Sequence, residues 1–179
     1  MPTRARFLFA LLALAAVPAV LEPSSGHASG SPPRAVTAAF DLGILSQLNQ
    51  VRISHGLHPL TLSTSLSAAA MAHTRDMVAN GYFAHESVDG EPFWKRIASF
   101  YPDGNYSYWS VGENLFWSIG VATPGAGLKA WMASPEHRAT ILDPRWTQIG
   151  MAAVSSTAAP GAFANRDVTV ITTDFGVRR

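Results

Sequence analysis

Residues 131–142 read WMASPEHRATIL. Ser134 followed by Pro135 is a helix-start pair: the hydroxyl can accept a first-turn N–H, and proline lacks the N–H that would have no partner there. A helix is therefore predicted from Pro135. His137 falls in its first turn, where the positive end of the macrodipole disfavours a second positive charge and favours neutral imidazole, the form that binds metal. A capping-turn histidine bonded to nearby backbone is the plainer reading of the same ring. Upstream, Thr123-Pro124 caps a helix running through Leu128 to Met132. Downstream, Asp143-Pro144 ends the helical region and two strand-like segments follow, Gln148 to Ser155 and Asp167 to Phe175. The second contains the β-branched run VTVITT, and a Gly-, Ala- and Pro-rich hairpin loop joins the two.

The N-terminal half is helical in pattern. Ile44, Leu45, Leu48 and Val51 recur at helical spacing before Gly56, which predicts a helix over Thr37 to His55. Leu66, Ala69, Ala70, His73 and Met77 form the stripe of a second helix, capped by Ser63 or Thr64 and left through Asn80-Gly81. His73 on that stripe reads as a satisfied core-edge histidine, and His55 and His58 flank a turn facing solvent. Pro92 opens a short helix carrying Phe93, Ile97 and Phe100 inward. Tyr82 to Gly90, which includes His85, and Pro102 to Ser110 are loops. Between Gly112 and a run of large apolar residues stands Glu113, a lone acid in a place that demands a partner. Helices early and strands late argue for an α+β fold with an antiparallel sheet.

The chain has 179 residues, 47% apolar and 14% charged, with net charge +1 and no cysteine. This is one domain of ordinary globular composition. Disulfides, thiolate metal sites and cysteine nucleophiles are excluded, so any metal site must use histidine and carboxylate. The scattered Lys and Arg residues give no case for nucleic acid. Arg4 and Arg6 precede an apolar run from Phe7 to Val17, with Gly26 and Ala28 at a peptidase-like spacing: a secretory signal peptide over residues 1–28. Cleavage after Ala19 and an uncleaved anchor reaching Leu21 are the alternatives. A short leader, 29–39, then enters a domain over 40–177. The mature protein is expected to be secreted or periplasmic, with no stable membrane span.

His85, Glu113 and His137 are three candidate ligands on separate segments. Two imidazoles and a carboxylate suit zinc, with a fourth position for water. Their separations, 28 and 24 residues (85 to 113, 113 to 137), match no local metal motif.

LNQVRISHGLHPL (48–60), HTRDMVANGYFAHES (73–87), VGEN (111–114), WMASPEHRATIL (131–142), IGMAAV (149–154) and TTDFG (172–176), in that order, resemble the bacterial branch of the CAP superfamily. That superfamily is named for cysteine-rich secretory, antigen-five and pathogenesis-related proteins, and its domain is also called SCP-like. The resemblance implies a three-layer αβα sandwich with a central antiparallel sheet and a cleft whose residues here are His85, Glu113 and His137, able to hold a divalent metal, commonly zinc. It adds Glu136 as a candidate second acid, although the helix dipole is sufficient reason for an acid there. Asn114, Ser134 and Arg138 also match the family pattern and are expected to support the cleft residues from behind. No organic cofactor is implied. Three functions follow: a secreted, non-catalytic module binding a lipid, cell-wall or protein component; a metal-dependent hydrolase with Glu113 as general base; or a structural extracellular domain with a histidine–glutamate network and no metal. Neither HExxH nor a serine nucleophile elbow is present to favour the second.

Overall fold

The computed structural model describes residues 33–179, so the signal peptide and the start of the leader lie outside them. The elements are β1 (Arg34–Ala35), α1 (Ala38–Ser54), β2 (Thr61–Leu62), α2 (Thr64–Asn80), α3 (Phe93–Phe100), β3 (Trp109–Ile119), α4 (Pro124–Ala133), α5 (Pro135–Ile141), β4 (Gln148–Ala159) and β5 (Arg166–Arg178). The leader is not a passive spacer. Arg34 and Ala35 pair antiparallel with Ser155 and Val154 of β4, and α1 begins two residues before position 40.

The strands form one sheet in the order β1-β4-β5-β3, with β2 also pairing β4. β5 is central and runs antiparallel to both β3 and β4. Strand alternation sorts their side chains into two layers. Ile149, Met151, Ala153, Ile171, Phe175 and Val177 pack with Ile44, Leu48, Leu128 and Trp131 of α1 and α4 and with Ile141 of α5. On the opposite face Val111 joins Leu66, Phe93 and Ile97, while Leu115, Val154 and Val170 join Met77 and Val78. The molecule is thus an α+β, three-layer αβα sandwich, with α1, α4 and α5 on one side and α2 and α3 on the other.

α2 lies directly on the sheet at Gly150. A Cβ there would come 2.0 Å from the Leu66 carbonyl carbon and 2.1 Å from the Ser67 nitrogen, both backbone atoms. The predicted cap at Ser63 accepts from the Leu66 N–H at 3.4 Å, and Gly81 ends α2 in the left-handed conformation with φ 69°. Two expectations change. Phe100 is 39% exposed, and Arg96 takes an inward place on α3 beside Phe93 and Ile97. Trp109–Ile119 is an eleven-residue strand. Its centre, Gly112-Glu113-Asn114, is poor in β propensity, and tertiary pairing with β5 overrides it.

Candidate cleft at the β3 edge

β3 is the last strand of the sheet, so both faces and one backbone edge of its central residues meet what the loops bring over them. Glu113 and Asp174 are direct cross-strand partners and share the α2/α3 face. Both are buried, at 3% and 0% exposure. Isolated burial of an ionised carboxylate is prohibitive, so partners are required.

Glu113 has them. His85 Nδ1 lies 2.8 Å from Oε1, and Arg96 Nη2 lies 2.5 Å from Oε2. An ionised carboxylate only accepts, so His85 donates through Nδ1–H. His73 Nε2 is 4.0 Å from Oε2 and donates to the Ala84 carbonyl at 2.9 Å. Burial alone pushes Glu113 up; the Arg96 guanidinium, with His73 and His85, brings it well below its ordinary value. Asp174 goes the other way. Burial and then the neighbouring Glu113 charge raise it far above the usual carboxylate range, and its contact with Glu113 favours the protonated form. The two carboxyls divide the labour: one is held ionised, the other neutral.

Arg96 and His73 also fix the loop that delivers His85. Arg96 Nη1 donates to the His85 carbonyl at 3.0 Å and to Ser87 Oγ at 3.2 Å. His73 is fully buried and its pKa is lowered, chiefly by burial. Tyr82 adds a hydrogen bond to Asp76 and a 3.4 Å contact with His73 Nδ1.

His137 comes from the other side of the edge, in the first turn of α5. Its Nδ1 lies 2.8 Å from Ser134 Oγ, and the Asn114 amide donates to its carbonyl at 3.1 Å. The helix starts at Pro135 as predicted, but the Ser134 hydroxyl makes no cap bond. It is drawn to the imidazole instead. Burial, then His85, lowers the His137 pKa, which favours the neutral ring. Glu136 and Arg138 are both exposed. Arg138 therefore does not support the buried cluster, and Glu136 touches it only through the field it exerts on His137.

Of the expected ligand trio, His85 is bonded to Glu113, and His137 comes from the far side of the β3 edge. Among the described residues no three His, Cys, Asp or Glu side chains are grouped so as to hold an ion. The donor chemistry gives the reason: both Glu113 oxygens are engaged, one of them by a permanent cation. Arg96 and Asp174 were missed by sequence reasoning. The signal for Arg96 was its spacing, three residues after Phe93 and next to Ile97 on the inward stripe of α3. For Asp174 it was an acid in phase with Val170 and Thr172 in a buried strand.

Between β3 and the α4–α5 junction lies a recess of about 370 Å³, lined by Phe83, Leu115, Trp117, Ala130, Ser134 and His137 among others.

An αβα sandwich with a carboxylate–histidine cluster at the edge of its antiparallel sheet is the class of protein that this fold and site define. The model of the cysteine-rich secretory protein family, CAP, matches residues 45–170, and the chain belongs to that family. The uncharacterized protein YkwD of Bacillus subtilis (strain 168) is 38% identical over 120 residues, 66% of this chain and 44% of that protein. The uncharacterized membrane protein YlbC of the same organism is 30% identical over 108 residues, 60% of this chain and 30% of YlbC. The chain thus spans less than half of these relatives' length. The fold is similar to that of an outer surface protein from Borrelia burgdorferi, with TM-score 0.61, 20% identity, and coverage of 82% of this chain and 98% of that one. It is also similar to an extracellular protein containing a SCP domain from Bacillus anthracis, with TM-score 0.58, 23% identity, and coverage of 77% and 40%.

Proposed function

We propose that the chain is an extracytoplasmic CAP-domain binding module whose cleft at the β3 edge takes a ligand without hydrolysing it. The observation that carries this reading is the state of Glu113. A general base works best with a pKa near the operating pH and a lone pair aimed at the water it activates. Glu113 is buried, ionised and engaged at both oxygens by His85 and Arg96. The positive charge that a divalent ion would supply beside it is supplied by Arg96, so the cluster works without metal. Support for the location comes from the signal-like residues 1–28 and from the names of two structural relatives, an extracellular protein and an outer surface protein. Among the described residues no helix is long and apolar enough to cross a membrane.

The test is a panel of chromogenic peptide and ester substrates offered to the wild type and to Glu113→Gln, with and without added zinc. The expected result is no turnover above buffer in any arm. Turnover by the wild type that Glu113→Gln abolishes, with the variant still folded, would replace the binding module with a hydrolase.

A further inference from the structure

Beyond the Glu113 cluster, the edge of β3 carries backbone groups that β5 does not pair. Two bonds join Tyr108 and Arg179 at one end of the β3–β5 ladder, and the Gly120 N–H donates to the Asp167 carbonyl at the other. Pairing between them runs without a register shift. In an antiparallel ladder the residues that exchange both bonds alternate with residues whose N–H and C=O point away. Even-numbered residues of β3 therefore face β5, and Leu115, Trp117 and Ile119 direct their backbone groups outward. Among the described residues β5 is the only strand paired with β3. One outward acceptor is already in use: Trp131 Nε1 donates to the Leu115 carbonyl at 2.8 Å. The outward groups of Trp117 and Ile119 lie beyond that plug, Ile119 being 62% exposed.

This row of alternating donors and acceptors runs beside the recess between Phe83 and Ala130–Ser134. A row of that kind is matched by another polypeptide backbone in extended conformation, and the recess by one of its side chains. The lining has no carboxylate, lysine or arginine, and its one ionisable group, His137, is kept neutral by burial. An apolar side chain suits it. The α4–α5 flank reaches the strand edge, as the Trp131 bond requires, so a second copy's β3 would bring its own flank against this one, whereas a single extended segment brings none.

We propose that the binding module, on the reading given above, captures an extended segment of a partner protein by strand addition to β3 at Trp117–Ile119, with an apolar side chain of that segment in the recess beside His137. Strand addition supplies affinity through the backbone and selectivity through the recess.

The test uses capped pentapeptides, Thr-Val-X-Val-Thr with X as Ala, Leu or Phe, titrated into the ¹⁵N-labelled protein. Saturable shifts of the Trp117 and Ile119 amides are expected, with Leu or Phe binding at least about tenfold tighter than Ala. N-methylation of alternate amides of the peptide should abolish the shifts in one phase and spare them in the other. Ile119→Pro removes an outward donor and no sheet bond, so it should abolish binding while the β4 and β5 resonances stay in place. If that variant unfolds, the N-methylated peptides alone decide. Shifts centred on His85, affinity indifferent to both N-methylated phases, no saturable shift at millimolar peptide, or a protein dimer closed through β3 would each overturn strand addition. Glu113-dependent turnover would instead remove the binding module on which it rests.

Discussion

At the scale of single residues, the site is governed by where charge is tolerated. Arg96 is the cation that allows Glu113 to be buried and ionised. Arg96→Met should therefore cost about 3–5 kcal/mol, the usual result of removing one partner of a buried ion pair. The double variant Arg96→Met/Glu113→Gln should lose less than the sum of the single losses, which urea unfolding of all four proteins would measure. Asp41, in the first turn of α1, offers a pH-dependent case. Burial raises its pKa from 3.8 to about 6, and Oδ1 has no partner among the described residues. A carboxyl whose pKa is higher folded than unfolded costs no stability below the unfolded value; the cost grows as pH rises from 3.8 to about 6 and persists above. Asp41→Asn should accordingly raise the melting temperature at about pH 7.5 and leave it nearly unchanged at about pH 3.5. His85, Glu113 and His137 were legible as candidates from their chemistry on separate segments, and were grouped in one cleft only by the family resemblance. The partners that determine what they do were not, because Arg96 and Asp174 acquire their meaning only when α3 is laid over β3 and β5.

At the scale of elements, helix starts and stops were the most legible part, since proline, serine and glycine act locally. α2 ends at Gly81 and α5 begins at Pro135 for reasons contained in three or four residues. β3 was hidden because its central residues favour loops, and only eleven residues paired to β5 make it a strand. The contact between α2 and β4 is similarly long-range, and it makes a sharp prediction. Gly150→Ala would place a methyl against the α2 backbone at Leu66 and Ser67, where no side chain can rotate aside. The loss should exceed about 3 kcal/mol by chemical denaturation, at the upper end for overpacking. Arg52 is another tie that a helical pattern does not reveal. Fully buried at the end of α1, it donates to the carbonyls of His58, Ile141 and Asp143, fastening α1 to the segment leaving α5.

At the scale of the whole molecule, the chain is stabilised without disulfide, and on the reading above without metal. Adding zinc or a chelator should leave the melting temperature unchanged, as differential scanning fluorimetry would record. Saturable zinc binding that Glu113→Gln removes would show instead that the carboxylate can leave Arg96. The order of the strands has a further consequence. Arg34 joins the sheet on the outer side of β4, opposite Ser155, whose rung continues through Thr169 to Ser118 of β3. The chain thus comes in on one margin of the sheet, and the open strand forms the other, three strand spacings or about 14 Å away. On the strand-addition reading, a partner segment would therefore join the sheet on the margin farthest from Arg34.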